Sequence, residues 1–461
     1  METKTTDVLV IGGGGAGIAA ALAAQEHGAH VLLLEKTEWL GGSTRMSGGG
    51  ISAPGTKFQK EAGIEDDKQE WLNLWKKRQA TSNPNSPYPD YDRVSEYMDE
   101  AVTTTEWLAD KEGHEYEKPA GFGQDPEQRI HFPKGTPGGM GGGKKLIANI
   151  SATLEKRPDI TVLTKTSAKH LIVKNSEVVG ALVEGPEGEY RISAKKVIIS
   201  SGGFVQNKEM IAKYIPAAQI AGQFAVGGAG DNGDGIQMAH EVGAVLYQDP
   251  WVIGMGITAA IEGTGSLLMD WNKLYVDGDG KRFMNEASHY AVVANTVLSA
   301  KDPWIIFDSS EINDALLATF DEAFAAKRAC KAADVESLAA QMGVPPKALA
   351  ETIAEYNEGA KTGQDKFGKK PENIKAIQTP PFYAARIYPV IMGTFGGVKT
   401  NDKYEVLNDD GHKIPNLFAT GESANKILYN HVYMSGSSVQ FALTSGRIAG
   451  ETSAEQIEAE Q

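Results

Sequence analysis

Asp7-Val8-Leu9-Val10-Ile11-Gly12-Gly13-Gly14-Gly15-Ala16-Gly17 is the stretch on which the reading of this chain turns. Asp7–Ile11 is a short apolar, β-branched-rich run, the pattern of a strand buried on both faces of a parallel sheet. Ala16 to Gly28 is Ala-rich and helical, and His30–Leu34 is a second buried strand ending at Glu35. Gly12, Gly14 and Gly17 fit G-x-G-x-x-G between the first strand and the helix, a context that turns a weak motif into a strong one. The first glycine allows the tight turn, the second lets backbone approach a pyrophosphate, and the third lets helix lie on strand. Gly15, Ala16 and Gly17 open the helix at its positive end. Glu35 is positioned to accept hydrogen bonds from an adenosine ribose, with Lys36 beside it.

A second glycine cluster follows, Leu40-Gly41-Gly42-Ser43-Thr44-Arg45-Met46-Ser47-Gly48-Gly49-Gly50. Its small residues and hydroxyls suit backbone lying against the bulk of a flavin, which a nicotinamide cofactor does not require. FAD is therefore expected, with Gly42, Ser43, Thr44, Ser47, Gly48 and Gly49 among its contacts. Two imitations are set aside. Gly228–Gly233 also spells G-x-G-x-x-G, but the apolar run before it is weak and acidic residues crowd it. Gly138–Lys145 mimics a phosphate loop, yet Lys145 stands where a magnesium-binding Ser or Thr belongs.

Outward from this core, 461 residues exceed one comfortable hydrophobic core, so two domains or a large insertion are expected. Residues 80–143 are punctuated by Pro and Gly around a helical stretch, Asp92–Lys111. Strand signals resume at Ile160–Leu163, Ala168–Val173, Val178–Glu184 and Lys196–Ser200, as in an antiparallel meander. A hairpin signal at Val276–Phe283 and helices through Ala287–Ala300 and Ser309–Ala354 mark an insert. The expected division is residues 1–245 and 358–461 for a cofactor domain and 246–357 for a capping domain. The fold class is α/β: a Rossmann-type FAD domain of the glutathione-reductase-like kind carrying an α+β capping insert.

A net charge of −15 disfavours nucleic acid and anionic membrane surfaces as partners. Cys330 is the only cysteine, which excludes a Cys-ligated cluster or CxxCH haem within this chain. Electrons must come from or go to a separate donor or acceptor. No metal is expected, no run approaches the ~20 apolar residues of a membrane span, and the N-terminus has no signal-peptide pattern. The expected location is cytoplasmic; oligomeric state is open.

With these residues in view the chain resembles the fumarate reductase/succinate dehydrogenase flavoprotein superfamily. The resemblance runs through DVLVIGGGGAGIAAA, GGSTRMSGGG, SSGGF at Ser200–Phe204, GDNGDG at Gly230–Gly235, GKRFMNE at Gly280–Glu286, GTFGGV at Gly393–Val398, LFATGE at Leu417–Glu422 and SGSSVQFALTSGRIAG at Ser435–Gly450. It implies FAD held by both chain ends, adding Ala168, Ser201, Gly202, Asp234, Gly421, Glu422, Ser437, Ser438 and Val439 to the cofactor contacts. Where membrane-complex members carry a flavin-attaching histidine, this chain has Gly42-Ser43-Thr44, so attachment is expected to be non-covalent.

The chain departs from the dicarboxylate reductases where they bind substrate. Gly393 stands for a histidine, Tyr433 and Tyr290 for arginines, and the acid arginine falls near Ile312, leaving a dianion without the fixed cations it needs. The site pattern looks closer to the 3-ketosteroid dehydrogenase branch, Δ1 and Δ4-(5α), through Asn285-Glu286-Ala287-Ser288-His289-Tyr290 and His431-Val432-Tyr433-Met434-Ser435. The resemblance implies a small-molecule carbonyl substrate, an α,β-unsaturated ketone, steroid-like or phenolic, reduced or formed by desaturation. Tyr433 and Ser435 are the candidates for holding the carbonyl oxygen and Tyr290 for moving the proton. His289 and His431 read as structural or rim residues, and Trp251, Met255 and Trp271 as candidate lining of an apolar cavity. Two alternatives stay open: a reductase of unsaturated carboxylates (fumarate, urocanate or cinnamate type) using Arg45, Arg282 or Arg386, and an electron-transfer subunit of a larger complex.

Overall fold

A computed structural model of the chain describes residues 3–219, 225–259, 272–318 and 320–460; Trp271 lies outside them. The chain divides into two compact units: one of residues 1–216, 225–253 and 392–461, the other of 217–224 and 254–391.

In the first unit, β1 (Thr3–Ile11), α1 (Gly15–Glu26) and β2 (Val31–Leu34) form the opening βαβ. Val10 is in parallel register with Leu33 on one side and Ile198 on the other. Strands Ile160–Leu163 and Lys413–Ala419 extend this parallel layer beyond β2 and beyond strand Gly188–Ile199. Val8, Leu9 and Val10 are wholly buried because helices cover both faces of such a layer. Strands Ser167–Lys174 and Glu177–Gly185 lead antiparallel into Gly188–Ile199. Short turns at 175–176 and 186–187 fix that meander.

The long C-terminal helix Ser437–Ala459 crosses α1 at backbone contact. A Cβ on Gly446 would lie 2.1 Å from the Ala16 carbonyl oxygen, and one on Gly450 would lie 2.3 Å from that of Ala20. Both glycines are thus dictated by the closeness of two Ala-rich helices. The glycines near 140 have the same kind of explanation. A Cβ on Gly142 would lie 1.9 Å from the Gly48 carbonyl oxygen and one on Gly143 2.2 Å from that of Thr44, so this stretch is packed on the second glycine cluster.

The second unit is built on a five-stranded sheet. Strand Phe382–Phe395 pairs antiparallel with Trp304–Asp308 and Ala329–Ala332. Alternate residues of that strand serve opposite cores: Tyr383, Ala385 and Ile387 join Val293, Val297 and Phe307, whereas Phe382 and Ala384 join Leu338, Leu349 and Tyr356. This pairing carries the unit to Ile391, beyond the boundary expected at 357, because residues 382–391 supply a central strand. Ala329–Ala332, expected within helix, is strand for the same reason: Ala-Cys-Lys-Ala favours helix locally, but pairing with Phe382–Ala385 decides it. Among the described residues no helix is long and apolar enough to cross a membrane.

Candidate functional site

The glycines at the tip of β1 have separate duties. Gly12 has φ +109°, and a Cβ there would lie 2.4 Å from the Ser200 carbonyl oxygen, so no side chain is compatible with the turn. A Cβ on Gly17 would lie 1.9 Å from the Gly12 carbonyl oxygen, which is the close helix-on-strand contact. Gly14 differs: the nearest atom to its Cβ position is 3.9 Å away. The middle glycine therefore faces open space, and it also caps α1, so Gly15, Ala16 and Gly17 lie at an end with no capping side chain. Glu35 closes the turn by accepting hydrogen bonds from Gly13 N (3.0 Å) and Thr37 N (2.8 Å).

The second cluster is held on this tip. A Cβ on Gly15 would meet Thr44 Oγ1 at 2.7 Å. Ser47 Oγ donates to the Thr44 carbonyl (2.7 Å) and accepts from Gly49 N (3.0 Å). Ser43 Oγ donates to Asp231 and accepts from Gly228 N (2.7 Å), while Lys36 forms an ion pair with Asp234. The Gly228–Gly233 loop is thus a clamp on the glycine cluster, with no strand leading into it among the described residues. Asp231 was not among the sequence candidates, although GDNGDG contains it. Its carboxyl is pushed up to about 6 by burial, against the pull of Ser43 and Lys36.

A third wall comes from Ser200–Gly203 and the chain's other end. Ser200 Oγ and Thr420 Oγ1 are 2.8 Å apart, and Ser423 Oγ donates to the Gly202 carbonyl at 2.8 Å. Gly421 N donates to Ser445 Oγ (2.9 Å). Glu422 accepts from Thr394 N (2.6 Å) and Thr394 Oγ1 (3.0 Å), and no cation of a described residue pairs with it. Desolvation, reinforced by the negative charge of Asp231, pushes this carboxyl up to about 8. Thr394 was not among the sequence candidates, although GTFGGV contains it; it lies near the end of strand Phe382–Phe395. Of the other expected contacts, Ala168 lies on the meander strand opposite Val183. Ser437 is wholly buried, with its Oγ accepting from Tyr429 (2.6 Å). Ser438 and Val439 continue the first turn of the C-terminal helix.

These walls suit an elongated, hydroxyl-rich cofactor. Gly12, Gly14, Ser43, Ser47, Ser201, Gly202, Glu422 and Ser438 are partly open, whereas Ile11, Thr44, Ser200 and Gly421 beside them are buried. Ser201 Oγ has no hydrogen-bond partner among the described residues and is shut from solvent, an orphaned donor of the kind a ligand satisfies. An uncapped helix end for a pyrophosphate, carboxylates for ribose and ribityl hydroxyls, and glycine surfaces for a flat ring fit FAD.

Next to this cradle lies Tyr433, 7% exposed. Burial pushes its phenol up to about 12, although the backbone of Gly436 and Ser438 pulls the other way. The segment before it is gripped by Gln79, which accepts from Asn430 N (2.8 Å) and donates to the Val432 carbonyl (2.6 Å). The Ser435 carbonyl accepts from Ser52 Oγ (2.6 Å). His431 Nε2 lies 3.1 Å from both Asp249 oxygens, and its ring stacks on Trp251 at 4.1 Å. Burial and the Lys426 charge hold that imidazole down at about 4, so it is neutral. Tyr290 belongs to the second unit. It begins helix Tyr290–Ser299 and is buried, with its ring 4.1 Å from His289. His289 caps that helix by accepting from Ala291 N at 3.3 Å. Met255, half-buried, is also in the second unit.

Residues 7–439 match the FAD binding domain family. A probable fumarate reductase, Ifc3, of Shewanella frigidimarina is 31% identical over 98% of this chain and 75% of its own length. Vinyl phenol reductase of Lactiplantibacillus plantarum is 28% identical over 97% of this chain and 96% of its own. Among solved structures, the 3-ketosteroid-Δ4-(5α)-dehydrogenase of Rhodococcus jostii, in complex with 4-androstene-3,17-dione, superposes with a TM-score of 0.77. It is 26% identical over 98% of this chain and 97% of that one. The chain belongs to the FAD binding domain family, within the fumarate reductase/succinate dehydrogenase flavoproteins, and is an FAD-dependent oxidoreductase of CH–CH bonds.

Proposed function

We propose that the protein reduces a carbon–carbon double bond conjugated to the carbonyl of a neutral, apolar substrate, steroid-like or phenolic in shape. The observation that carries this reading is Tyr433. It occupies the position where the resembled dicarboxylate reductases keep an arginine, and its buried phenol, pushed up to about 12, stays protonated at neutral pH. A neutral donor suits a ketone oxygen; it does not offset the charge of a carboxylate.

The arginines that a carboxylate would need are largely committed elsewhere. Arg282 donates to both oxygens of Glu286 (2.9 and 2.8 Å) and pairs with Asp365. Arg386 pairs with Asp302 at 2.8 Å and lies over Trp304. Arg45 alone of the three has no carboxylate partner among the described residues; it lies over Trp39. The vinyl phenol and ketosteroid relatives agree with a neutral substrate, whereas the fumarate reductase relative favours a second reading in which an unsaturated carboxylate is reduced.

Bound FAD supplies hydride exchange with the substrate's β carbon. The remaining work falls to this chain. Tyr433 donates a hydrogen bond to the carbonyl oxygen, and Ser435 joins it, so that the charge developing there as hydride arrives is held by fixed donors. The resemblance, rather than the geometry, gives Tyr290 as the candidate for the proton at the α carbon. Glu35, Ser201 and Glu422 would hold hydroxyls of the cofactor, and the N-terminal ends of α1 and the C-terminal helix would offer it backbone N–H groups. A protonated Tyr433 is poised for reduction; desaturation would require a base with a lower pKa.

Titration of the oxidised holoenzyme with a 4-ene-3-ketosteroid, a phenolic enone and fumarate, followed through the flavin absorbance, tests the reading. The neutral enones should perturb the spectrum and fumarate should not. A saturable response to fumarate alone would defeat it.

A further inference from the structure

Met140, Trp39 and Met46 are the most exposed large hydrophobic side chains among the described residues, at 88%, 65% and 64%. They are carried by segments already in contact. Gly48 and Gly139 abut, with a Cβ on Gly48 reaching 3.5 Å from the Gly139 carbonyl oxygen. Gly139 is against Phe132, whose ring lies 6.3 Å from that of Phe122, itself exposed at 38%. Arg45 lies over Trp39. Gly143 is seated on the Thr44, Ser47 and Arg45 carbonyls, which places Lys144 and Lys145 at the margin of the same patch. Both lysines are exposed, and neither they nor Arg45 forms an ion pair with a described residue.

This is unusual for a chain with net charge −15. Trp, Met, Phe and Arg are the side chains enriched at the centre of protein interfaces, and a rim of free lysines selects an acidic partner. Methionines adapt to the partner's contours. The patch is of the kind that marks interaction sites on soluble proteins. Its backbone also carries Ser43, Thr44, Ser47 and Gly48 of the candidate cofactor cradle.

We propose that this face docks a small, acidic, one-electron carrier protein that reduces the cofactor. The inference rests on the redox reading above, since the chain's single cysteine leaves it without an iron–sulfur or c-type haem site of its own. Two reduced carriers each lose one electron; with protons taken from solvent, these two electrons reduce the bound FAD, which then passes a hydride to substrate. The contact is expected to be brief and below the size of stable interfaces.

The test uses the holoenzyme and purified flavodoxin as the acidic carrier. Calorimetric binding of oxidised flavodoxin, and FAD reduction by photoreduced flavodoxin in a stopped-flow instrument, should both weaken as ionic strength rises toward ~0.15 M. The variant M140E/K144E/K145E should lose at least ~10-fold in each. Dithionite should reduce both proteins alike, and substrate should reoxidise both alike; failure of reoxidation in both would tell against the substrate reading, not against this surface. Wild-type binding and reduction by flavodoxin in the variant would overturn the proposal. So would sedimentation showing a wild-type dimer that the variant abolishes, because the face would then belong to a second copy of the chain.

Discussion

The carboxylate of Glu422 lies where a side chain on Gly393 would have to start: an ideal Cβ there comes 2.8 Å from Oε2 and 2.9 Å from Oε1. Gly393 is the position at which the dicarboxylate reductases keep a histidine. In this chain a histidine there must first displace Glu422, whose other neighbour, Gly203, leaves even less room, with its Cβ position 2.0 Å from Oε1. The missing histidine is thus tied to the cofactor cradle as well as to substrate choice. Gly393→Ala should therefore lower FAD affinity at least ~10-fold by shifting the Glu422 carboxyl away from the hydroxyls it would bind; equilibrium dialysis against FAD checks it.

Glu422 also makes cofactor-free protein sensitive to pH. Its folded pKa, about 8, lies above the ordinary 4.5, and Asp231 is raised in the same direction, to about 6 from 3.8. Between about 4.5 and 8 the folded chain holds a proton that the unfolded chain has released, so stability is fully present below that window and falls as pH rises through it. Thermal melts of the FAD-stripped protein should shift downward from pH 5.5 to pH 8.5, and Glu422→Gln should flatten the slope. An unchanged slope in the variant would remove Glu422 from this account.

Tyr433→Phe should leave FAD bound and slow turnover at least ~10²-fold, the usual loss for one donor at a developing oxyanion. Because the phenol is pushed up to about 12, wild-type turnover should show no tyrosine ionisation below pH ~10. Near-normal turnover in the variant would take Tyr433 out of the chemistry.

How much of this was legible in the sequence depended on whether a residue acts with its neighbours in the chain or across it. Gly12, Gly14 and Gly17 could be read because a strand, a turn and a helix follow one another without interruption. The meander was equally plain, since alternation and Gly/Asn turns are local. Gln79 and Asp231 meet Asn430 and Ser43 across 351 and 188 residues, and Thr394 meets Glu422 across 28; the sequence beside them does not show these partners. Ala329–Ala332 was misread as helix because its composition is helical and only the distant strand Phe382–Ala385 overrules it. The second unit likewise runs past 357 to Ile391, where strand Phe382–Phe395 supplies pairing that the local sequence does not show.

The second unit has its own buried electrostatic brace. Lys369 Nζ, with its side chain wholly buried, donates to Glu286 (3.1 Å), Tyr356 Oη (3.1 Å) and the Lys273 carbonyl (2.9 Å), and Glu286 also binds Arg282. Removing one member strands buried charge. Glu286→Ala should cost ~3–5 kcal/mol, read by urea unfolding. A change near zero would show that water enters the brace.

The central claim, a neutral conjugated carbonyl as substrate, is met most directly by anaerobic reoxidation. The holoenzyme is reduced with one equivalent of dithionite and mixed with a 4-ene-3-ketosteroid, a phenolic enone, fumarate, urocanate or cinnamate while the flavin absorbance is followed. The account predicts rapid return of oxidised flavin with a neutral enone and none with the carboxylates. Fast reoxidation by fumarate or urocanate, with the enones inert, would contradict it.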